Sequence, residues 1–406
     1  MAEEYDICIN GGGPIGSTLA CLLAQSGMRI LLLERHAFTT TLQPALDGRA
    51  YALAEGVRPL LEEAGIWAHL PAPPQPIQHI HVLDGQGRYP AVSPLSVTNG
   101  LTFTPDDAPE NRHFGWMVEA PNLLASIGRT ISHYETLDVR APETGKFTFS
   151  PHHASIALTS GERVRAKLVI AADGRGSTLR QQVKIGLTRI PYHKHALVAV
   201  LAHEHPHDGA ALENFLPQGP FARLPLPATT QHPHRSAIVW TDTAERIHHF
   251  SHLPDNAFAR HVRHRLGQEN LGTLTPIGKR WTYPLASQYA HRYIATRLLL
   301  IGDAAHGLHP VAGQGMNLGF RDVRTLSSLL KEAFLQGDDF GDTAFLEKYQ
   351  RHTRPGNLLM LAGCDVMERL FSNQNLLLSA SRRLGLKALQ RMPHLRRYFV
   401  QKAMGL

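Results

Sequence analysis

Three cysteines in 406 residues, Cys8, Cys21 and Cys364, are too few and too scattered for a disulfide framework or a cysteine zinc site. Long apolar runs are missing as well: none approaches the ~20 residues that a spanning helix needs. Charged residues make up 18%, and no basic, then apolar, then small-residue segment opens the chain, which argues against a secretory leader. These absences predict a soluble, cytoplasmic protein of a reducing compartment. What is present is ordinary for a globular chain, with 43% hydrophobic residues. The length exceeds the ~100–200 residues of one typical domain, so two intimately packed domains are expected.

The formal net charge of +7 is concentrated at one end. From Leu376 onward the chain carries Arg382, Arg383, Lys387, Arg391, Arg396, Arg397 and Lys402, and no Asp or Glu. Removing those seven from 41 Lys and Arg leaves 34, equal to the 34 Asp and Glu of the chain. Apolar residues are interleaved with them, among them Leu384, Leu389, Leu395, Tyr398 and Phe399. Such a tail suits a terminal helix packed on the body with a solvated basic face. It equally suits a surface that docks on an anionic membrane or an acidic partner. Nucleic acid is not expected, because the remaining chain is neutral and no stacking-aromatic pattern accompanies the basic residues.

Twenty-five histidines invite a metal reading, with His203, His205 and His207 the densest group. Alternate strand residues would point all three to one side. No acidic or cysteine ligand pattern surrounds them, and Pro206 interrupts the strand, so solvated histidines and no catalytic metal are expected. Cys8 and Cys21 are read as buried small apolar residues.

Residues Tyr5 to Asn10 form a short apolar strand pattern, followed by Gly11-Gly12-Gly13-Pro14-Ile15-Gly16. A helical stretch runs through Leu19, Leu22 and Leu23 to Gly27, and a second strand ends at Glu34. This is a βαβ unit in about 30 residues. In Gly11-x-Gly13-x-x-Gly16 the first glycine allows the tight turn and the second lets backbone approach a pyrophosphate. The third permits close helix–strand packing, and the helix N-terminus faces the anion. Glu34, 18 residues after Gly16, is placed to accept hydrogen bonds from a ribose diol. Together these predict adenine-dinucleotide binding without separating FAD from NAD.

Two later segments separate them. An apolar strand ends in Asp173-Gly174, and a second, Leu298 to Ile301, ends in Gly302-Asp303. The latter continues through His306 to His309-Pro310-Val311-Ala312-Gly313-Gln314-Gly315-Met316-Asn317-Leu318-Gly319. An acid at the end of a buried strand, followed by a glycine loop and a helix, suits a polyol chain and an electron-rich ring. Negative charge on a reduced flavin would be stabilised by that helix N-terminus.

The three motifs together resemble the single-component flavin-dependent aromatic hydroxylases of the 4-hydroxybenzoate hydroxylase type. The string from His309 to Asp322-Val323 resembles the hallmark of the ubiquinone-biosynthesis hydroxylases, and the likeness spans Tyr5 to about Leu330. The resemblance implies an α/β fold: a Rossmann-like FAD-binding domain with an inserted, mostly antiparallel β-sheet substrate domain and C-terminal helices. The expected division is 1–75, 100–185 and 282–345 for the FAD domain and 76–99 and 186–281 for the substrate domain. Residues 346–406 would form a C-terminal helical region with the basic tail.

The same resemblance implies that Gly11, Gly13, Pro14, Ile15 and Gly16 hold the pyrophosphate and that Glu34, with Arg35 beside it, holds the adenosine ribose. Arg49 matches an arginine near the FAD, and Asp173 and Gly174 match a motif tied to FAD and nicotinamide contacts. Gly302 and Asp303 would take the ribityl chain, and Gly313, Gln314, Gly315, Met316 and Asn317 would face the pyrimidine edge of the flavin. Pro310 matches a proline over the flavin near the substrate. His309 beside it is either a proton-transfer group or a structural one; these two are the catalytic candidates, and neither is fixed as a general base.

The implied reaction reduces FAD with NAD(P)H, captures O2 as a flavin C4a-hydroperoxide and hydroxylates a polyprenylated phenol in ubiquinone biosynthesis. No second dinucleotide-binding glycine loop is seen, which leaves the electron donor open. A bilayer-borne substrate would give the basic tail a purpose, at the inner face of the membrane or in a quinone-biosynthesis complex. Two alternatives stand beside this reading. A hydroxylase of a soluble aromatic acid would want an Arg or Lys clamp, for which Arg223 is a candidate. A non-catalytic flavin-fold subunit would show no substrate-dependent oxidation of nicotinamide.

Overall fold

The computed structural model describes residues 3–38, 49–83, 85, 100–216, 218–267, 269–308, 313–371 and 392–406. Its first sheet places the strands in the order Ile294–Ala295, Leu298–Leu300, Arg163–Ala171, Glu3–Asn10, Ile30–Leu33 and Leu137–Arg140. The last five run parallel. Parallel strands covered on both faces need near-continuous apolar runs; Ile7, Cys8 and Ile9 and Leu298 to Leu300 are fully buried. Burial pushes the Cys8 thiol pKa up, as expected for an inert packing group. Asn10 stands opposite both Ala171 and Leu33, and Ala171 opposite Leu300, so four strands end level at one sheet edge. The loops leaving them are thereby gathered at one place.

Among the described residues the helices are α1 (Pro14–Ala24), α2 (Arg58–Glu63), α3 (Ala120–Thr130), α4 (Thr178–Gln182), α5 (Ala244–Ser251), α6 (Asp255–Arg265), α7 (Gln314–Gln336), α8 (Thr343–Phe371) and α9 (Pro393–Met404). Helix α1 crosses from the first parallel strand to the second, its residues Gly16 to Ala24 all buried, and packs on α7 and α3.

The second sheet is ordered His306–Gly307, Leu274–Ala290, Leu187–His203, Arg235–Asp242, Gly219–Leu226, Ala210–Leu216, His79–Leu83 and Gly100–Phe103. Its pairs are antiparallel except Ala210–Leu216 with His79–Leu83. Two 17-residue strands, Leu187–His203 and Leu274–Ala290, pair along their length and carry the chain from one sheet region to the other. The pairing slips between Pro191 and His195 and again between Val198 and Val200, which bends the pair. This sheet reaches beyond the expected boundaries, taking in Gly100–Phe103 and running on to Ala290. Helices α5 and α6 cover one face through a core of Trp240, Phe221, Phe250 and Phe258. A small sheet of Ala50–Ala54, Gly115–Glu119 and Gln75–Ile77 lies between the two. Val400 and Met404 of α9 are buried with Ile77, Met117, Val200 and Leu226, so the end of the chain docks where the sheets meet. No helix among the described residues is long and apolar enough to cross a membrane.

Candidate functional site

The level strand ends build the site. Gly11 has φ 117°, and a Cβ there would stand 2.4 Å from the Ala172 carbonyl oxygen, so this position admits only glycine. A Cβ on Gly16 would stand 1.9 Å from the Gly11 oxygen. Gly13 is different: its backbone is extended and a Cβ would meet nothing within 4 Å. Two glycines therefore serve packing, and the third keeps a space open at the α1 N-terminus. That terminus has Pro14 in its first turn, no side-chain cap and no acid, so its amide N–H groups and dipole face an anion directly. Ile15 bolts the loop to the third motif: a Cβ on Gly319 would meet it at 2.8 Å and one on Gly302 at 3.4 Å.

Glu34 is held across the mouth of this loop. Its Oε2 accepts from the Gly12 N–H at 2.7 Å and its Oε1 from the His36 N–H at 3.0 Å. The carboxylate is half-buried, and its remaining lone pairs suit a ribose diol. Arg35 beside it is exposed. Asp173 caps α4, its Oδ2 accepting from the Thr178 and Leu179 N–H groups at 2.9 and 3.4 Å. Its Oδ1 is buried without a partner among the described residues, an acceptor that a ligand donor would satisfy. Gly174 follows with φ 80°.

Asp303 is 44% exposed and its Oδ2 lies 3.3 Å from the Arg175 Nε. Arg175 also donates to the carbonyl oxygens of Ala286 and Leu308 at 3.0 and 2.8 Å. An ion pair this exposed contributes no more than about 1 kcal/mol, so a ligand hydroxyl can compete for the carboxylate. Behind Asp303 the turn is locked from inside the core. Asp322 of α7, 1% exposed, accepts from the Gly302 N–H at 2.9 Å, His306 Nε2 at 2.5 Å and Asn357 Nδ2 at 2.9 Å. Burial alone would lower the His306 pKa, but the attraction of Asp322 and its hydrogen bond raise it on balance.

Helix α7 begins at Gly313, which is left-handed at φ 64°, and again lacks a side-chain cap and an acid in its first turn. Gln314, Gly315 and Met316 form that turn, half-buried. Asn317 is buried, and its side chain is a staple: Oδ1 accepts from the Ala54 N–H at 2.9 Å and Nδ2 donates to the Ala52 oxygen at 3.0 Å. The Asn317 side chain is thus engaged within the protein, and its contact to a ring would be left to its backbone. The Arg49 guanidinium lies 5.6 Å from the Trp281 ring centroid and so leans on the second sheet. His309 and Pro310, the catalytic candidates, lie outside the described residues.

On the substrate side, two arginines are 1% exposed and already paired. Arg223 donates from Nε to Glu269 at 3.0 Å and from Nη1 to the Ala210 oxygen at 2.6 Å. Arg235 donates to both Glu119 oxygens at 3.2 and 3.0 Å. His203 contacts the His205 oxygen at 2.7 Å and Ser236 Oγ at 3.0 Å, and burial pushes its pKa down to about 4. His207 likewise contacts the Leu226 oxygen at 3.0 Å. These rings are held by the sheet rather than solvated, a correction to the expectation for the two of them. Sequence reasoning also missed Arg175, which follows Asp173-Gly174, and the His306–Asp322 pair within the third motif; nothing in their spacing says which partners they meet.

An open anion space at one helix end, a carboxylate at the ribose position, an orphaned Asp173 oxygen and a second uncapped helix end fit FAD. The comparisons agree. The family model described as an FAD binding domain matches residues 4–360. A "Ubiquinone hydroxylase UbiL" of Rhodospirillum rubrum is 39% identical over 401 residues, covering 98% of this chain and 89% of that protein. A "3-demethoxyubiquinol 3-hydroxylase" of Escherichia coli is 30% identical, covering 100% of this chain and 99% of that protein. Among solved structures, the p-nitrophenol 4-monooxygenase PnpA of Pseudomonas putida superposes with a TM-score of 0.76 at 15% identity, covering 100% and 99% of the two chains. The chain belongs to the FAD-binding-domain family that holds the ubiquinone-biosynthesis hydroxylases, and it is an FAD-dependent monooxygenase.

Proposed function

We propose that this chain hydroxylates the aromatic ring of a polyprenylated phenol in ubiquinone biosynthesis, with O2 as oxidant and NAD(P)H as electron donor, at the inner face of the membrane. The observation that carries the choice of substrate is the pairing of Arg223 and Arg235. A soluble aromatic acid needs a cation for its carboxylate. Among the described residues both buried arginines of the substrate sheet are engaged, Arg223 with Glu269 and Arg235 with Glu119, and freeing either would leave a partly buried acid unpaired. The 39% identity to a ubiquinone hydroxylase along nearly the whole chain supports the same reading.

When bound, FAD supplies the chemistry, taking hydride from the nicotinamide and activating oxygen. The chain's own residues position it. The α1 N-terminus would hold the pyrophosphate in the space kept by Gly13, Glu34 the ribose, and Asp303 the ribityl hydroxyls in place of its contact with Arg175. Arg175, once released, remains anchored by the Ala286 and Leu308 carbonyl oxygens. The α7 N-terminus stabilises negative charge at the ring edge. The test is a mass-spectrometric profile of quinone-pathway lipids in cells lacking the gene. An accumulated prenylphenol short of one oxygen, cleared on restoring the gene, is the expected result. A normal profile in cells with no second hydroxylase would refute the substrate class.

A further inference from the structure

We infer that the chain carries a phospholipid headgroup site, formed by Arg321, Arg324 and Lys402 in the cleft between α7 and α9, with an apolar stripe of α9 set into the bilayer beside it. This rests on the reading of a bilayer-borne substrate and deepens it by naming the surface that meets the lipid.

Helix α9 is apolar on two faces. Val400 and Met404, four residues apart, are buried against the body, and Arg396 beside them is paired with Asp107. Leu395, Tyr398 and Phe399 recur at helical spacing on another face and are 37%, 54% and 51% exposed, and Leu406, just past the helix end, is 43% exposed. One packed face accounts for the docking of the helix. The second packs on nothing among the described residues, and exposing large aromatic and aliphatic groups in water is unfavourable.

The stripe leads into a cation pocket. Lys402 lies one turn beyond Tyr398 and lines a cleft with Arg321, Arg324, Gly56 and Gly405. Arg324 reaches across it, donating to the carbonyl oxygens of Gly56 and Gly405, and the nearby Arg321 guanidinium adds like-charge repulsion. Among the described residues none of the three is in an ion pair with a carboxylate. Three basic residues line the cleft, with the Lys402 ammonium 5.9 Å from the Tyr398 ring centroid, and none has an acidic partner among the described residues, which favours an anion with several acceptor oxygens. A phosphate suits that geometry. Beside four exposed apolar side chains, and in a C-terminal stretch with no acid from Leu376 to the end, the phosphate is that of an anionic phospholipid.

The test uses the FAD-loaded full chain and vesicles of phosphatidylcholine with and without phosphatidylglycerol. The wild-type chain is expected to sediment with the phosphatidylglycerol vesicles alone. Arg321→Gln and Lys402→Gln are each expected to weaken partitioning about fivefold, the change carried by one basic side chain at an anionic surface. Tyr398→Ser with Phe399→Ser should weaken it further. Lys146→Gln, an exposed lysine on the Gly145–Phe149 strand of the first sheet, should leave it unchanged, and all variants should keep the wild-type flavin spectrum. Arg324 is left intact because it tethers α9. Loss in Lys146→Gln equal to that in the pocket variants would reduce the effect to net charge and overturn the site. Absence of wild-type vesicle binding would overturn it too, leaving a protein partner for the stripe. Vesicle partitioning reads the surface alone, so its failure is separable from a failure of the substrate reading, which the lipid profile judges.

Discussion

Two glycines of the first loop make opposite predictions under the same substitution. In Gly16→Ala the new methyl would stand 1.9 Å from the Gly11 oxygen, where a carbon–oxygen contact needs about 3.3 Å. Neither partner can yield, since Gly11 is itself wedged against the Ala172 carbonyl. The cost falls at the upper end of overpacking, about 3 kcal/mol, whether or not flavin is bound. In Gly13→Ala the methyl enters open space on extended backbone. The gain from a stiffer unfolded chain and the loss from a poorer N-cap nearly cancel, so the flavin-free protein should keep its stability within about 1 kcal/mol. The same methyl occupies the space the pyrophosphate needs, so affinity for FAD should fall at least tenfold, or about 1.4 kcal/mol. Flavin absorbance relative to protein absorbance reads occupancy, and urea unfolding of the deflavinated proteins reads stability. Full flavin in Gly13→Ala, or a wild-type urea midpoint in Gly16→Ala, would refute the division of labour.

Asp322→Ala removes the acceptor for three buried donors and strands His306, so a loss of about 3–5 kcal/mol is expected; Asp322→Asn should cost less. The raised His306 pKa means that its charged form stabilises fully below about pH 6.5, and that this stability fades as pH rises through the raised value. That dependence should disappear in Asp322→Asn, and its persistence in urea titrations at several pH values would disprove the pairing. His203 works in the other direction. With its folded pKa pushed down to about 4, the unfolded chain takes the proton first, and stability falls between about pH 6.5 and 4 by at most about 3 kcal/mol. An unchanged acid slope in His203→Asn would sink that assignment.

The parts of the site legible in the sequence are those where backbone conformation and residue type are one constraint. Gly11 and Gly16 must be glycine because backbone crowds them, and the apolar run from Leu298 to Leu300 must be a buried parallel strand. Glu34 was legible because a strand of known length delivers its last residue to the same edge. What remained hidden depends on distant segments meeting. Arg175 reaches Asp303 across 128 positions, and Asn317 staples Ala52 and Ala54 across more than 260. The Asp173-Gly174 pair does not show that Asp173 caps α4, since capping and ligand binding ask for the same carboxylate. The two long strands blurred the domain boundary because one strand can serve two regions, and periodicity does not mark where the change occurs.

The order of strands in the first sheet also governs how the chain can assemble as it is made. Glu3–Asn10 takes its parallel partner from Arg163–Ala171, some 150 residues later, and the sheet is extended only when Leu298–Leu300 emerges. At roughly 5–20 residues per second, the first strand has its inner edge bare for about 8–30 s of synthesis. A strand with the apolar run Ile7–Ile9 and an open edge is a template for wrong pairing. Neither could a ribosome-bound fragment hold the flavin to protect that edge, because the Gly302–Asp303 turn and its Asp322 lock arrive last. On this order the flavin site is complete only after Asp322 has been made, and until the later strands arrive the edge of the first strand is open to wrong pairing.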